Sequence, residues 1–131
     1  MKHVDHECEK WYSVKLLFEA KISGEPQPLT IDDAYVESKT FEERLYLIYA
    51  DSFEVAYKKA EREAKDSETN HINPYGQLVE WVYVRPLDCF HLFDDKIKDK
   101  TEIYSRQFDV SKETSVNEVL QRFYPEVTEE E

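Results

Sequence analysis

Two groups of residues carry atoms that could do chemistry, and the first lies near the N-terminus. His3, His6 and Cys8 stand there among acidic side chains. Imidazole nitrogen and thiolate sulfur are ligands of zinc, but a zinc site needs three or four ligands held in a fixed geometry. A polar terminal segment does not hold its side chains in that way. We therefore predict no metal site.

The second group is Cys89 and His91, with Asp88 beside them, in an apolar stretch. A cysteine nucleophile needs an imidazole within hydrogen-bond distance and a group that orients it. Residues two apart on one face of a strand lie about 6 to 7 Å apart at their backbones, which is too far without a bend. Cysteine is also among the most commonly buried residue types. We predict that Cys89 belongs to the core, and that the protein has no catalytic residues and is not an enzyme.

The composition argues against several classes of ligand. The chain has only two glycines, whereas a phosphate-cradling turn needs several close together. We predict no cofactor site. Its 29 acidic and 17 basic side chains give a net charge of -12, which repels nucleic acids and anionic membranes and attracts a basic protein. We therefore expect a protein partner, and neither nucleic acid nor membrane.

Location and domain limits follow from the ends of the chain and its cysteines. Two distant cysteines, Cys8 and Cys89, are typical of free thiols in a reducing compartment. The first ten residues lack the apolar stretch of a signal peptide, and no segment approaches the roughly 20 apolar residues of a membrane span. We predict a cytoplasmic protein with a flexible tail at 1–10, a single α+β domain at 11–125 and an acidic tail at 126–131.

Apolar alternation predicts four strands, and helical spacing predicts two helices. The alternating stretches are Trp11 to Ile22, Phe41 to Ala50, Leu78 to Phe93 and Thr101 to Val110. An alanine-striped helix is predicted to follow Asp51 or Ser52 as its cap, and a short one to follow Ser115, where Glu118 gives a capping box. Pro86 predicts an edge, a bulge or a break in the third strand. Residues 29–39 allow either a short helix or a short edge strand.

This order of elements predicts an α+β domain. We expect an antiparallel sheet of about four strands with one main helix packed on a face and a short C-terminal helix, in the order β-β-α-β-β-α. The second face of the sheet would meet solvent, the last helix or another subunit. Its candidate interaction residues are Trp11, Leu17, Tyr46 and Trp81. An uncovered apolar patch there would suit a protein partner or a homodimer.

Several separated blocks of residues carry a family resemblance. They are Trp11 to Phe18, Phe41 to Leu45, Ser52 to Glu54, Leu87 to Asp94 and Glu102 to Arg106. In this order they resemble the small bacterial proteins of the family called domain of unknown function 4288, over about residues 11–108. The resemblance implies a bacterial or phage-related cytoplasmic protein. It brings no established activity and no known catalytic residues.

Two functions are compatible with these features. The first is a non-enzymatic protein-interaction module, such as an acidic inhibitor or immunity-type protein that covers a basic partner. The alternative is a small-molecule-binding regulatory domain with a pocket between helix and sheet. Residues that would contribute to that pocket are Tyr57, Trp81, His91 and Tyr104. A homodimer is compatible with both.

Overall fold

A computed structural model describes residues 9–128 of the chain. Its strands are β1 (Lys10–Ser23), β2 (Thr40–Ala50), β3 (Thr69–Ile72) and β4 (Leu78–His91), and its helices are α1 (Phe53–Asp66), α2 (Val116–Phe123) and α3 (Pro125–Thr128). The four strands form one antiparallel sheet in the order β2-β1-β4-β3. The predicted α+β class and the order β-β-α-β-β-α are confirmed.

The predicted tails are described only in part. β1 already begins at Lys10, and α3 extends over the start of the predicted acidic tail. The metal-capable residues His3, His6 and Cys8 lie outside the described residues. Within residues 9–128, no helix is long and apolar enough to cross a membrane.

The central strand β1 divides the sheet into two faces. Its side chains at even positions are buried beneath α1, and they are Tyr12, Val14, Leu16, Phe18 and Ala20. Strict alternation places these apolar residues on one side, as the sequence predicts. The opposite side carries Trp11, Ser13, Lys15, Leu17 and Glu19 and is called here the open face. Side chains that pair with these positions on β2 and β4 share the open face.

Helix α1 packs tightly on the sheet because its buried stripe is made of alanine. Ser52 is its N-cap, and the Ser52 hydroxyl accepts a hydrogen bond from the Val55 amide at 3.2 Å. Ala56, Ala60 and Ala64 are completely buried. Small side chains at this spacing let the helix backbone approach the strands closely. The helix ends at Asp66, with Ser67 as its C-cap.

Strand β4 stays continuous through Pro86 with the help of two bulges. Its pairing with β1 shifts between Lys15 and Leu16 and again between Leu17 and Phe18. Each bulge adds one residue to β4, so the two together restore the side-chain alternation. Of the three alternatives predicted for Pro86, a break is wrong because β4 is a single strand, and bulges occur on both sides of Pro86, at Leu87 and Val84.

The predicted fourth strand at 101–110 is wrong. These residues have no strand hydrogen bonding, and the fourth strand is instead β3, where the sequence analysis predicts no strand. The segment after β4 runs onto the open face, where the Lys15 ammonium lies 4.8 Å from the centre of the Tyr104 ring. Further along, α2 begins with the predicted capping box between Ser115 and Glu118. Over residues 29–39 neither the predicted short helix at Asp32 nor the short edge strand is present: a 3-10 turn, Pro28–Thr30, is followed by a turn at Asp33 and Ala34.

Candidate interaction surfaces

The open face of β2 is mostly apolar, with Glu43 in its middle, and residues 9–128 cover it only in part. Four of its side chains are between 41% and 52% exposed, namely Phe41, Leu45, Leu47 and Tyr49. On the neighbouring strand, Trp11 packs against Tyr49 with ring centroids 5.0 Å apart. The open face therefore presents a stripe of large apolar side chains along an edge strand.

The four predicted interaction residues fall on different faces. Trp11 and Leu17 lie on the open face, as expected. Tyr46 pairs with Val14, and Trp81 pairs with Ala20, so both lie on the helix side and pack against the core. The placement of Tyr46 and Trp81 on the second face is therefore wrong. Both faces of β2 and β4 carry large apolar residues, so alternation did not reveal which face meets the helix.

The four predicted pocket residues do not line one pocket. His91 stacks on Tyr12 at one end of the sheet, with centroids 5.1 Å apart, whereas Trp81 lies at the other end, about eight positions or 27 Å away along β1. Tyr57 packs on the core from α1, and Tyr104 lies on the opposite face of the sheet.

Cys89 and His91 share the helix face of β4, as predicted. Cys89 pairs with Val14 and packs against the core. Burial, with a smaller contribution from the charge of Asp88, raises the pKa of the Cys89 thiol to about 11. An activated nucleophile needs the opposite shift, because only the thiolate attacks. The His91 ring is engaged with Tyr12 and Phe53 rather than placed to orient a nucleophile.

A cleft of about 690 Å³ separates the open face from the C-terminal segment. The Tyr104 hydroxyl donates a 2.7 Å hydrogen bond to Asp88, and burial together with that bond raises the pKa of Tyr104 to about 12. Lys15 forms an ion pair with Glu43 at 3.4 Å beneath the same ring. These contacts attach the C-terminal segment to the sheet through Tyr104.

The loop between β1 and β2 is acidic and carries exposed apolar side chains. Residues 24–39, called here the acidic loop, contain four acidic residues and one basic residue, Lys39, next to β2. Its apolar side chains point outward, with Leu29 102% exposed and Ile31 and Val36 also exposed. A fully exposed leucine contributes nothing to the core of this chain.

Contacts with the turn between β3 and β4 hold the acidic loop in place. The Tyr75 hydroxyl donates a 2.8 Å hydrogen bond to Asp32, and the Gln27 amide donates one to the Tyr75 carbonyl at 2.9 Å. The Gln77 side-chain amide donates to the Gly24 carbonyl at 2.9 Å. These bonds hold both arms of the loop, so Leu29 is presented from a defined backbone.

Sequence reasoning missed the acidic loop as a surface, although two signals were present. Glu25, Asp32, Asp33 and Glu37 occur with no basic residue between them, and apolar residues stand among them in a stretch with no periodicity. The anchoring residue Tyr75 was not recognisable, because its role depends on a contact between two distant turns.

The geometry defines an α+β protein with a buried helix–sheet core and two surfaces that carry exposed apolar side chains. Among residues 9–128, no three His, Cys, Asp or Glu side chains cluster as metal ligands would. The sequence model of the family described as Domain of unknown function (DUF4288) matches residues 11–105, and the chain belongs to that family. No curated protein and no solved structure matches the chain.

Proposed function

We propose that this protein is a non-enzymatic protein-interaction module that binds a basic protein partner through the acidic loop, in the manner of an inhibitor or immunity-type protein. The observation that carries the proposal is Leu29, fully exposed at the tip of a loop held in place by Tyr75. A preordered loop loses little conformational freedom when it binds. Leu29 would enter an apolar pocket of the partner, and the surrounding carboxylates would meet basic side chains.

The charge of the whole chain supports the same partner. A net charge of -12 produces a field that attracts a basic protein at long range and increases the rate of encounter. Once the two proteins are in contact, the apolar side chains of the loop determine the lifetime of the complex, because most affinity within one interface resides in the dissociation rate. The partner proposed here shares the cytoplasm with this protein, where a free thiol such as Cys89 persists.

The test is quantitative affinity capture from the source cells with three proteins. The wild type and the Leu29→Arg variant are compared with Val116→Arg. This matched control also replaces an exposed apolar residue by arginine, but on α2. We expect Leu29→Arg to lose a basic protein that the other two retain. Binding of that purified protein should weaken at least about tenfold between low salt and 0.5 M salt, as screening predicts. Equal capture by all three proteins, or an acidic captured partner, would contradict the proposal.

A second candidate function is small-molecule binding in the cleft on the open face. Its volume of about 690 Å³ lies within the usual range of ligand sites. Tyr104, Phe123 and Tyr124 supply aromatic walls, and Lys15 and Arg106 supply positive charge. A metabolite that raises the melting temperature of the wild type but not of Tyr104→Ala would support this function. A flat thermal-shift screen would count against it.

A further inference from the structure

Strand β2 is an edge strand of the sheet. It lies at the end of the strand order, and its eleven residues pair with β1 without interruption from Thr40 to Ala50. Within residues 9–128, nothing pairs with its other side. Natural proteins usually blunt such edges with proline, charged side chains, a bulge or a covering segment. β2 contains neither proline nor lysine, and its pairing with β1 shows no bulge; its charged residues, Glu42, Glu43 and Arg44, all form ion pairs within the chain.

The side chains of β2 are suited to a second copy of the same strand. In an antiparallel pair, residues on the same face stand opposite each other. The register that pairs the full length of β2 with itself puts Thr40 opposite Ala50 and Leu45 opposite its own symmetry mate. On the open face, Phe41 then meets Tyr49 of the second copy at both ends. Between these ends and the Leu45 pair on the axis, Glu43 of each copy stands opposite Leu47 of the other, so the apolar contacts are interrupted there by a carboxylate that Lys15 already pairs.

We propose that β2 pairs antiparallel with β2 of a second copy, with Leu45 on the two-fold axis, to give one eight-stranded sheet across a homodimer. The proposal is independent of the acidic loop and of any basic partner. Such a two-fold contact uses the same surface on both copies and closes on itself, as dimer interfaces do.

The charges on β2 favour a second copy over a basic strand at this edge. Glu43 is already paired with Lys15, and Glu42 is already paired with Arg44, within one chain. A basic partner would find no free carboxylate along the edge, whereas two copies would meet with their local charges balanced. In the proposed register, the Arg44 side chain faces Tyr46 of the second copy, a pairing that suits a guanidinium and an aromatic ring.

The available area corresponds to a weak dimer. A Phe or Tyr side chain presents about 200 Å² and a Leu somewhat less, so the four exposed stripe residues offer about 350 Å² per copy. The two copies together offer about 700 Å² of apolar surface, and the strand edges and polar side chains must supply the rest of an interface of about 1,200 Å². We expect a dissociation constant on the order of micromolar.

Sedimentation equilibrium over about 1 to 500 µM tests the proposal. The wild type should shift from the monomer mass of 15.7 kDa toward twice that mass. Leu45→Lys places two ammonium groups opposite each other on the axis and should raise the dissociation constant at least about tenfold. Leu45 is 44% exposed, so the monomer should keep its fold, and circular dichroism checks this. Leu29→Arg should dimerise like the wild type.

Oxidative cross-linking tests the register. In a Cys8→Ser background, Leu45→Cys should give a covalent dimer, because the two introduced thiols face each other. Phe41→Cys is the matched control, since its symmetry mate would lie eight positions, or about 27 Å, away. A monomer mass at every concentration, an unaltered dimer in Leu45→Lys, or equal cross-linking of Leu45→Cys and Phe41→Cys would each overturn the proposal.

Discussion

Cys89 is expected to react slowly with iodoacetamide, because its thiol is held in the protonated form. Burial and the nearby Asp88 raise the pKa of Cys89 to about 11 from the ordinary 9.0. At pH 8 the thiolate fraction is then about one in a thousand, against about one in ten for an ordinary thiol. A more basic thiolate is intrinsically more nucleophilic, which offsets about tenfold of this difference. The net expectation is a rate about tenfold below that of a free thiol, before any steric hindrance.

The pH profile separates a core thiol from a catalytic one. In a Cys8→Ser variant, which leaves Cys89 as the single thiol, the rate should keep rising about tenfold per pH unit from pH 7 to pH 10. N-acetylcysteine, measured in parallel, should already reach about half of its plateau rate near pH 9, the ordinary thiol pKa. Asp88→Asn should lower the pKa of Cys89 only in part, since burial is the larger cause. A plateau below pH 8 would refute the core interpretation and indicate an activated nucleophile.

The raised pKa of Cys89 should also make the folding stability depend on pH. The folded state keeps Cys89 protonated up to about pH 11, whereas the unfolded chain releases this proton near pH 9. The unfolded state therefore binds fewer protons between these values, and stability falls as pH rises through this window. Below about pH 8 this contribution is fully present. Urea unfolding of the wild type and of Cys89→Ala at pH 8 and pH 10 tests this direction. The wild type should lose more stability between the two pH values than Cys89→Ala does.

Three further predictions concern stability, measured by urea unfolding. Ala60→Leu should destabilise the protein by about 1 to 3 kcal/mol or more through overpacking beneath α1, whereas Lys58→Leu on the exposed side should change little. Gly76→Ala should destabilise by about 1 to 2 kcal/mol, because φ is +80° there and the new methyl would meet the Gln27 side chain at 3.1 Å. Ser52→Ala should remove the α1 cap and destabilise by about 1 kcal/mol. Unchanged unfolding midpoints would contradict each in turn.

The two errors in the strand assignments have a common physical origin. Residues 101–110 alternate like a strand, but a strand also needs an available edge, and Tyr104 instead attaches this segment to the open face through Asp88. β3 has only four residues, all exposed, and no apolar alternation. It forms because the turn after Ile72 returns the chain alongside Leu78. Pairing partners are a property of the assembled sheet, and local periodicity does not contain them.

The positions of the candidate interaction residues were also predicted only in part from the sequence. The acidic, aromatic composition indicated a partner-binding protein, and alternation put Trp11 and Leu17 on the open face. Tyr46 and Trp81 were misplaced, because the strand alternation of β2 and β4 is apolar on both sides. The acidic loop required knowledge of Tyr75, which lies more than 40 positions from its partner Asp32.

The position of β1 in the middle of the sheet has a consequence for synthesis of the chain. β1 leaves the ribosome before the other strands and can form a hairpin with β2. Its other neighbour, β4, is made after all the other strands, so Tyr12 has no partner on that side until His91 is made. Until then the nascent hairpin has an apolar surface and a vacant flank, the features that attract chaperones and misassembly. Closure of the sheet joins distant parts of the chain, so refolding should be slower than that of helical proteins of the same length.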